Sequence, residues 1–329
     1  MKVLITGGTG FIGSNLALRC LENGDIVRVL GQENNPAEAE NRKMIEEKGA
    51  EVLLTSVTDR EKIFSLLQGI DLVYHLAAAQ HEANVPDQVF WDVNVTGTKN
   101  ILEASVHAGV KCFVHGSTIG VYGFALEGHV DEQSPLKPDN IYGVTKLEGE
   151  KVVYSFKDKL PFVIVRISET YGPGDRRLLK LFKGIKKNAF FMIGKGENMH
   201  HLIYIDDLID GLFAAAESKE AIGETFVLAG KDAVTTNEMI QKIAQAFEKN
   251  MPRLRMPLLP FELIAAVMET VLRPIGIQPP LHRRRMNFFK KSFLFSLAKA
   301  SKILDFNPKI SFENGADQTA RWYEQMGYI

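Results

Sequence analysis

The sequence is poor in cysteine, shows no excess of charge of either sign and contains no long apolar run. Its two cysteines, Cys20 and Cys112, are too few for a disulfide framework and lack the spacing of metal ligands. Each lies in an apolar periodic segment, which predicts a buried free thiol and no metal site. A formal net charge of −1 over 329 residues argues against a dedicated nucleic-acid-binding protein, because such proteins carry a basic excess.

No stretch approaches the roughly 18 consecutive apolar residues of a membrane-spanning helix. The N-terminus lacks the charged region and cleavage site of a signal peptide, so we predict that it forms a β-strand of the mature protein. With 45% hydrophobic residues, the composition is that of an ordinary globular protein. We therefore expect a cytoplasmic location.

Short apolar runs alternate with helical patterns through the first half of the chain. The apolar runs predict buried parallel strands at 2–6, 26–30, 51–55, 71–76, 111–117 and 162–167. The helical patterns between them cover 11–23, 36–48, 59–68, 87–108 and 142–157. This alternation implies right-handed crossovers and predicts an α/β fold with a doubly wound parallel sheet.

After about residue 170 the alternation loosens. The pattern predicts strands at 201–205 and 225–230 and helices at 206–217, 236–248, 261–272 and 313–326. We expect Asp206 to cap the first of these helices, and Thr235 or Thr236 to cap the second. The chain is therefore divided into residues 1–170 and a smaller α/β part, 171–329, with some segments of the second part returning to the first.

The stretch TGGTGFIG joins the first predicted strand to the first predicted helix. Gly7 permits a tight turn, Gly10 leaves room where a pyrophosphate would lie, and Gly13 lets the helix pack against the strand. The anion would then meet the free N–H groups of the helix N-terminus. The motif predicts dinucleotide binding, so 1–170 becomes the dinucleotide-binding Rossmann domain and 171–329 the substrate-binding part.

The end of the second strand should select the dinucleotide. An acid there would hold a ribose 2′-hydroxyl, whereas an arginine would accept a 2′-phosphate. Here the strand ends in Gly31 and Gln32, while Arg28 lies inside it. We predict NAD as the cofactor because no basic residue is visibly poised, with NADP not excluded.

Tyr142 and Lys146 lie four residues apart on a helical pattern and therefore share one face. An ammonium beside a phenol stabilises the phenolate, which suits Tyr142 to act as a general acid or base. Lys146 could also hold the cofactor ribose. Upstream, Ser117 and Thr118 end a predicted strand, where a hydroxyl could share the hydrogen bond to a reacting oxygen.

Several motifs occur together and in order. They are TGGTGFIG (6–13), HLAAA (75–79), DVNVTGTKNILEA (92–104), GSTIGVYG (116–123), YGVTK (142–146), RISETYGPGD (166–175) and IYIDDLIDG (203–211). In these the chain resembles the extended short-chain dehydrogenase/reductase family, the NAD-dependent epimerase/dehydratase group, over nearly its whole length. The resemblance implies hydride transfer at a secondary alcohol carbon. It also implies a homodimer formed through 87–108 and 142–157.

The resemblance assigns catalytic roles to Thr118, Tyr142 and Lys146, with Thr118 preferred to Ser117 because it lies four residues before the tyrosine of VYG. Asn94 would support the active-site helix. The residues assigned to the cofactor are Gly7, Thr9, Gly10, Phe11, Ile12, Gly13, Gly31, Gln32, Ser56, Val57, Leu76, Ala77, Ala78, Asn94, Tyr142 and Lys146. Ser56 and Val57 replace the Asp-Val or Asp-Leu pair that usually meets the adenine.

The substrate is less clearly predicted. Glu169 stands where many nucleotide-sugar members carry Asn, and His200 where they carry an Arg that meets a diphosphate. Arg284, in the basic stretch HRRRMNFFKK (282–291), could replace that clamp. The simplest interpretation is a solvated basic loop, and contact with an anionic membrane beside the apolar helix 261–272 is the alternative that we favour least. We take Ser117, Glu169, His200 and Arg284 as substrate-binding candidates.

The C-terminal part is also similar to 3β-hydroxysteroid dehydrogenase-like members, which act on apolar alcohols. Phe288, Phe289, Phe293 and Phe295 would suit such a substrate, although they equally suit a core. We therefore predict a nucleotide-sugar epimerase, UDP-sugar 4-epimerase-like, or a related dehydratase. The alternatives are a dehydrogenase for an apolar alcohol and a non-catalytic NAD(P)-sensing protein on the same fold.

Overall fold

A computed structural model of the chain describes residues 1–80, 85–123, 128–252, 254–272 and 286–329. The described residues form the strands β1 Lys2–Thr6, β2 Ile26–Gly31, β3 Glu51–Leu54, β4 Leu72–His75, β5 Cys112–Thr118, β6 Phe162–Ile167, β7 Thr170–Tyr171, β8 Met192–Ile193, β9 Met199–His200, β10 Ile203–Tyr204, β11 Thr225–Leu228, β12 Val234–Thr235 and β13 Arg255–Met256. Seven of them form one parallel sheet in the order β3-β2-β1-β4-β5-β6-β11.

The α-helices of the described residues are α1 Phe11–Glu22, α2 Pro36–Glu47, α3 Arg60–Leu66, α4 Asp87–Trp91, α5 Thr98–Ala108, α6 Ile141–Tyr154, α7 Leu179–Lys186, α8 Ile205–Glu217, α9 Thr236–Ala246, α10 Leu258–Leu272, α11 Ala298–Leu304 and α12 Phe312–Gln325. A π-helical segment, Asp92–Gly97, joins α4 to α5. Within the described ranges, no helix is long and apolar enough to cross a bilayer.

Helices cover both faces of the sheet because successive side chains of each strand point to opposite faces. Val3 and Ile5 of β1 join one hydrophobic cluster, which includes residues of α1, α8 and α9. Leu4 joins a second cluster, which includes residues of α3, α5 and α6. The predicted α/β fold with a doubly wound parallel sheet is therefore confirmed, and its strand order reverses between β1 and β4.

The strand β11 lies at the edge of this sheet, hydrogen-bonded to β6. Residues 225–228 thus extend the sheet that the first part of the chain forms. The division at residue 170 stays a prediction, because the first hydrophobic cluster contains residues on both sides of it, such as Val163 and Leu212.

Three local predictions need correction. The segment 201–205 forms only the short strand β10, which pairs with β7. Asp206 does not cap α8, because the helix already begins at Ile205 and Asp206 lies in its first turn. The helix predicted over 87–108 is interrupted by the π-helical segment described above.

Other local predictions agree with the structure. Thr235 caps α9 with a capping box, in which Glu238 bonds back to the Thr235 backbone. Both cysteines are free and buried. Burial raises the pKa of Cys20 to about 12 and that of Cys112 to about 11.

Candidate active site

The glycine turn between β1 and α1 brings backbone closer together than side chains would allow. Gly7 has a φ of +70°, and a Cβ on it would lie 2.8 Å from the Ala77 nitrogen. A Cβ on Gly13 would lie 2.4 Å from the Gly7 oxygen. Leu76, Ala77 and the turn therefore meet at the carboxyl ends of β1 and β4, where ligands bind in such sheets.

Gly10 differs from its neighbours because it faces open space. Apart from the Gly7 oxygen at 3.2 Å, nothing lies within 4 Å of the position that its Cβ would occupy. Gly10 is the N-cap of α1 and provides no side-chain cap, so the first-turn N–H groups, including those of Phe11 and Ile12, have no partner within the helix. A cradle without side chains beside free N–H donors fits a dinucleotide pyrophosphate.

The end of β2 explains why the strand lacks an acid. Thr9 is buried, and its hydroxyl accepts a hydrogen bond from the Gln32 backbone nitrogen at 3.2 Å. A Cβ on Gly31 would lie 2.4 Å from the Thr9 side chain, so Gly31 has no room for a side chain. The position that would select the dinucleotide is thus filled by Thr9 from the glycine turn.

Basic groups near the end of β2 are already paired. Arg28 donates to Glu51 at 2.7 Å and to the Leu66 carbonyl oxygen at 2.6 Å, on the far side from the turn. Arg42 of α2 is held by Glu33 at 3.0 Å and by Glu46 at 2.8 Å. Both guanidiniums are thus already neutralised by carboxylates, which favours NAD over NADP.

The segment after β3 carries the residues assigned to the adenine. Val57 is buried against Gly97, where a Cβ would lie 2.4 Å from the Val57 side chain, and its carbonyl oxygen accepts from Asn100 at 3.1 Å. Ser56 is partly exposed and its hydroxyl bonds the Thr58 hydroxyl at 2.7 Å. Ala78 directly follows the backbone that packs on the glycine turn.

Asn94 lies in the π-helical segment and is completely buried. Its amide bonds both backbone groups of Ala79, at 2.8 and 3.1 Å, and donates to the Thr145 hydroxyl of α6 at 2.9 Å. Both polar atoms of the side chain are bonded to protein, which favours a positioning role, and its assignment as a cofactor contact stays a prediction. Asn94 ties the loop after β4 to the helix that carries Tyr142.

The helix α6 starts at an Asn140 cap and places Lys146 in the interior. Lys146 is 1% exposed, and its ammonium donates to the Gly116 carbonyl oxygen of β5 at 2.6 Å. Burial lowers the pKa of Lys146 to about 8, against a smaller raising effect of Glu150. Tyr142 lies one turn earlier on the same side of the helix.

Thr118 and Tyr142 meet beside Gly120. A Cβ on Gly120 would lie 3.4 Å from the Thr118 hydroxyl and 3.9 Å from the Tyr142 ring. The Thr118 hydroxyl accepts from the Gly120 nitrogen at 3.1 Å and remains only partly buried. The structure thus brings together the three residues predicted to be catalytic, at the carboxyl end of β5.

The Ser117 hydroxyl is held in a buried ionic network, and its assignment as a substrate contact stays a prediction. Its hydroxyl donates to Glu150 at 2.5 Å, and Glu150 in turn accepts two hydrogen bonds from Arg166, at 2.8 and 3.0 Å. The Glu150 and Arg166 side chains are 2% and 4% exposed. The Ser117 hydroxyl belongs to this buried ionic network, because alternate residues of β5 face opposite sides of the sheet.

Two buried histidines behind Lys146 carry no signal in the sequence. His75 and His115 stack with ring centroids 5.5 Å apart. Burial lowers the pKa of His75 to about 3 and that of His115 well below the usual value, with Lys146 adding to both shifts. Both rings are therefore neutral, and Lys146 carries the positive charge of this interior.

The two substrate candidates Glu169 and His200 lie side by side. The His200 Nδ1 is 3.5 Å from a Glu169 carboxylate oxygen, and Nε2 bonds the Thr236 hydroxyl at 2.9 Å. The His200 ring also packs on Phe288, with centroids 4.7 Å apart. His200 is 5% exposed and so is a buried link, whereas Glu169 is half-buried.

Asn198 was not singled out in the sequence, yet it organises this region. Its amide donates to the backbone oxygens of Phe288, at 2.8 Å, and Lys291, at 3.0 Å. Arg284 lies outside the described residues. Among the residues that the structure describes, no cluster of three or more His, Cys, Asp or Glu side chains could hold a metal ion.

Known proteins resemble this chain over its full length. The family model described as "NAD dependent epimerase/dehydratase family" matches residues 3–229. The crystal structure of UDP-glucuronic acid 4-epimerase from Bacillus cereus in complex with NAD superposes with a TM-score of 0.82, at 27% identity and 99% coverage of both chains.

Two curated relatives act on different substrates according to their names. The N-acetyl-α-D-glucosaminyl-diphospho-ditrans,octacis-undecaprenol 4-epimerase of Escherichia coli O157:H7 is 27% identical over 78% of this chain and 75% of the relative. The decarboxylating sterol-4-α-carboxylate 3-dehydrogenase of Mus musculus is 25% identical over 99% of this chain and 91% of the relative. With the family model matching more than half of its residues, the chain belongs to the NAD-dependent epimerase/dehydratase family.

Proposed function

We propose that the protein is an NAD-dependent epimerase that inverts a secondary alcohol carbon of a diphosphate-linked sugar, most simply a UDP-sugar 4-epimerase. The meeting of Thr118 and Tyr142 beside Gly120, with Lys146 buried behind them, is the observation that carries the proposal. The similarity to UDP-glucuronic acid 4-epimerase supports the substrate class.

NAD, when bound, would supply the hydride acceptor and donor of the reaction. The glycine turn and the first N–H groups of α1 would hold its pyrophosphate. Gly31 and Gln32 would lie beside the adenosine ribose, Ser56 and Val57 beside the adenine, and Leu76, Ala77 and Ala78 along the groove between them. No basic side chain in the described part of that groove is placed to select NADP.

The side chains of the site would transfer one proton, that of the reacting sugar hydroxyl. The Tyr142 phenol oxygen would take it from the reacting hydroxyl of the sugar and later return it, as a general base and then a general acid. Lys146, protonated at neutral pH, would stabilise the phenolate. Thr118 would donate or accept a hydrogen bond at the same sugar oxygen and so hold it toward Tyr142.

Glu169 would meet the sugar at the position where related enzymes carry Asn. Because His200 is tied to Thr236 and Glu169, we propose that it orients Glu169 rather than clamping a diphosphate. A cation for the diphosphate would then have to come from the basic stretch at 282–291, of which Arg284 is our candidate.

The activity test uses the purified protein without added cofactor. We expect the released dinucleotide to be NAD, and UDP-glucuronic acid or UDP-glucose to interconvert with its 4-epimer. Tyr142→Phe should keep bound NAD and lose at least about 100-fold in kcat, because a general acid–base group contributes about that much. Tyr154→Phe, three turns further along the same helix, removes a hydroxyl that bonds Thr225 at 2.5 Å instead of one at the site, and this control should keep its activity.

An oxidoreductase acting on an apolar alcohol is the second candidate. It is favoured by two aromatic contacts, Phe288 against His200 and the stacked pair Phe293 and Phe295 against His201. It would require added NAD, oxidise a hydrophobic secondary alcohol and leave UDP-sugars unchanged. If the Tyr142→Phe variant binds NAD and keeps the biological activity of the unchanged protein, the protein would instead be a non-catalytic NAD(P) sensor.

We further propose a homodimer that works in the cytoplasm. Trp91 and Val106, in the segment 87–108, are each 37% exposed, and a dimer through this segment and α6 would cover them. Light scattering of the purified protein measures the oligomeric state. Two cysteines that remain free fit a reducing compartment.

A further inference from the structure

The helix α10 exposes an unbroken apolar face. Leu259, Leu263, Val267 and Val271 recur at four-residue spacing and are 67%, 62%, 62% and 58% exposed. The other exposed residues of the helix are Pro260, Ile264 and Thr270, and the Thr270 hydroxyl is bonded to the Ala266 backbone. Exposed patches of this kind mark an interaction surface, because a soluble surface rarely concentrates large aliphatic side chains.

The charges of α10 lie on its other side. Glu262 and Glu269, the two charged residues of the helix, are half-buried toward the protein, and Glu262 pairs with Lys290 at 2.5 Å. The polarity of the helix is thus the reverse of an ordinary surface helix, whose charges face water. Such an arrangement stabilises the helix only if another apolar phase covers its outer face.

Basic groups flank this face. Lys195 and Arg255 are exposed and line a groove at the N-terminal end of α10, together with Met256 and Leu258. Leu254, beside Arg255, is 61% exposed and extends the apolar surface. From Lys249 to Lys291 the sequence holds nine basic and two acidic residues, in a chain whose net charge is −1.

The inner side of α10 connects to the candidate active site through packed side chains. Phe261 and Ala265 belong to a cluster with Met286 and Phe289. The Phe289 ring contacts Phe288 at 5.0 Å between centroids, and Phe288 packs on His200, which lies beside Glu169. A continuous set of packed side chains therefore connects α10 to the substrate side of the candidate active site.

We propose that the outer face of α10 docks on the surface of an anionic phospholipid bilayer, with the helix lying in the membrane plane. Its 15 residues are too few to span a bilayer, whereas an apolar face with cations at its edge suits the boundary between headgroups and acyl chains. The exposed face carries no aromatic or arginine anchor of the kind that protein interfaces use, so lipid is the better match than a second protein. This inference is independent of the proposed activity, because docking requires no turnover.

The test is co-sedimentation of the purified full-length protein with lipid vesicles. Vesicles of phosphatidylcholine alone are compared with vesicles that contain about a third phosphatidylglycerol. We expect binding to the anionic vesicles, reduced at least about tenfold by Leu263→Gln with Val267→Gln. The control variant, Ile26→Gln with Ile222→Gln, changes two aliphatic residues that are 65% and 41% exposed elsewhere and should bind like the unchanged protein.

Lys195→Ala with Arg255→Ala should abolish the preference for anionic vesicles. Leu263, Val267, Lys195 and Arg255 all have exposed side chains. Arg255 also donates to the Lys195 carbonyl oxygen at 2.9 Å and to Asn237 at 3.1 Å, so a melting curve checks that each variant stays folded at the assay temperature. Three results would overturn the proposal: no binding of the unchanged protein to either vesicle, equal binding of the Leu263/Val267 variant, or a dimer that this variant converts to a monomer.

Discussion

Replacing Lys146 with methionine should remove a pH dependence of folding stability that the burial of its ammonium creates. The side chain is 1% exposed, so solvent screens its charge very little. Its pKa falls from 10.5 to about 8 in the folded chain, chiefly because burial disfavours the charged form. Methionine has a similar length and no charge. The substitution therefore preserves the packing and removes the titrating ammonium.

The size of the effect follows from the pKa shift. Each pKa unit corresponds to about 1.4 kcal/mol, so the shift of Lys146 corresponds to about 3 kcal/mol. Below pH 8 both folded and unfolded chains hold the proton, and the folded chain bears the full cost of a buried charge. Between about pH 8 and 10.5 the folded chain has released a proton that the unfolded chain retains, so the free energy of unfolding rises with pH.

Equilibrium urea unfolding at pH 7 and pH 10 measures this change. The unchanged protein should gain about 3 kcal/mol more between these pH values than Lys146→Met does, because other titrating groups cancel in the comparison. Lys151→Met, which removes an exposed lysine of the same helix bonded to Glu148, should follow the unchanged protein. Parallel pH profiles for the unchanged protein and Lys146→Met would refute the burial of a charged Lys146.

The remaining predictions concern the glycine turn and the buried ion pair. Gly10→Val should abolish NAD binding measured by calorimetry, since its side chain would occupy the open cradle; tight binding by the variant would contradict the placement of the pyrophosphate. Glu150→Gln should lower the free energy of unfolding by about 3–5 kcal/mol, because it leaves the Arg166 charge buried without its partner. Glu148→Gln, which changes a half-buried carboxylate paired with the exposed Lys151 on the same helix, should cost less than about 1 kcal/mol, and equal losses for the two variants would argue against the network.

The alternation of short apolar runs with helical patterns was enough to predict the parallel sheet. Except for the edge strand β3, each strand from β1 to β6 is a short, largely buried apolar run, and the alternation with helices leaves few other topologies. The return of residues 225–228 to the edge of the sheet was also predictable in kind. The interruption at Asp92–Gly97 was not, because one π-helical turn within a helical pattern differs only in its i→i+5 hydrogen bonds, which so short a stretch of sequence does not encode.

The site residues were predictable where a motif coincides with a predicted strand end or helix face. They were not predictable where long-range packing decides which side chains meet. The positions of Thr118, Tyr142 and Lys146 follow from one strand end and one helix face. The sequence does not decide the role of Ser117, because a continuous apolar run hides which of two adjacent hydroxyls faces the ligand groove. The contact between Glu169 and His200 depends on the pairing of β7 with β10, which no local pattern encodes.

The contact between Thr9 and Gly31 links two positions that lie 22 residues apart in the chain. A carboxylate at the end of β2 cannot be added alone, since its Cβ would overlap the threonine side chain. Any descendant that acquires an acid there must first reduce residue 9 to a smaller side chain, so the two substitutions are epistatic and their order is fixed. Redesign of the coenzyme preference would therefore begin in the phosphate turn, before any change at the ribose position.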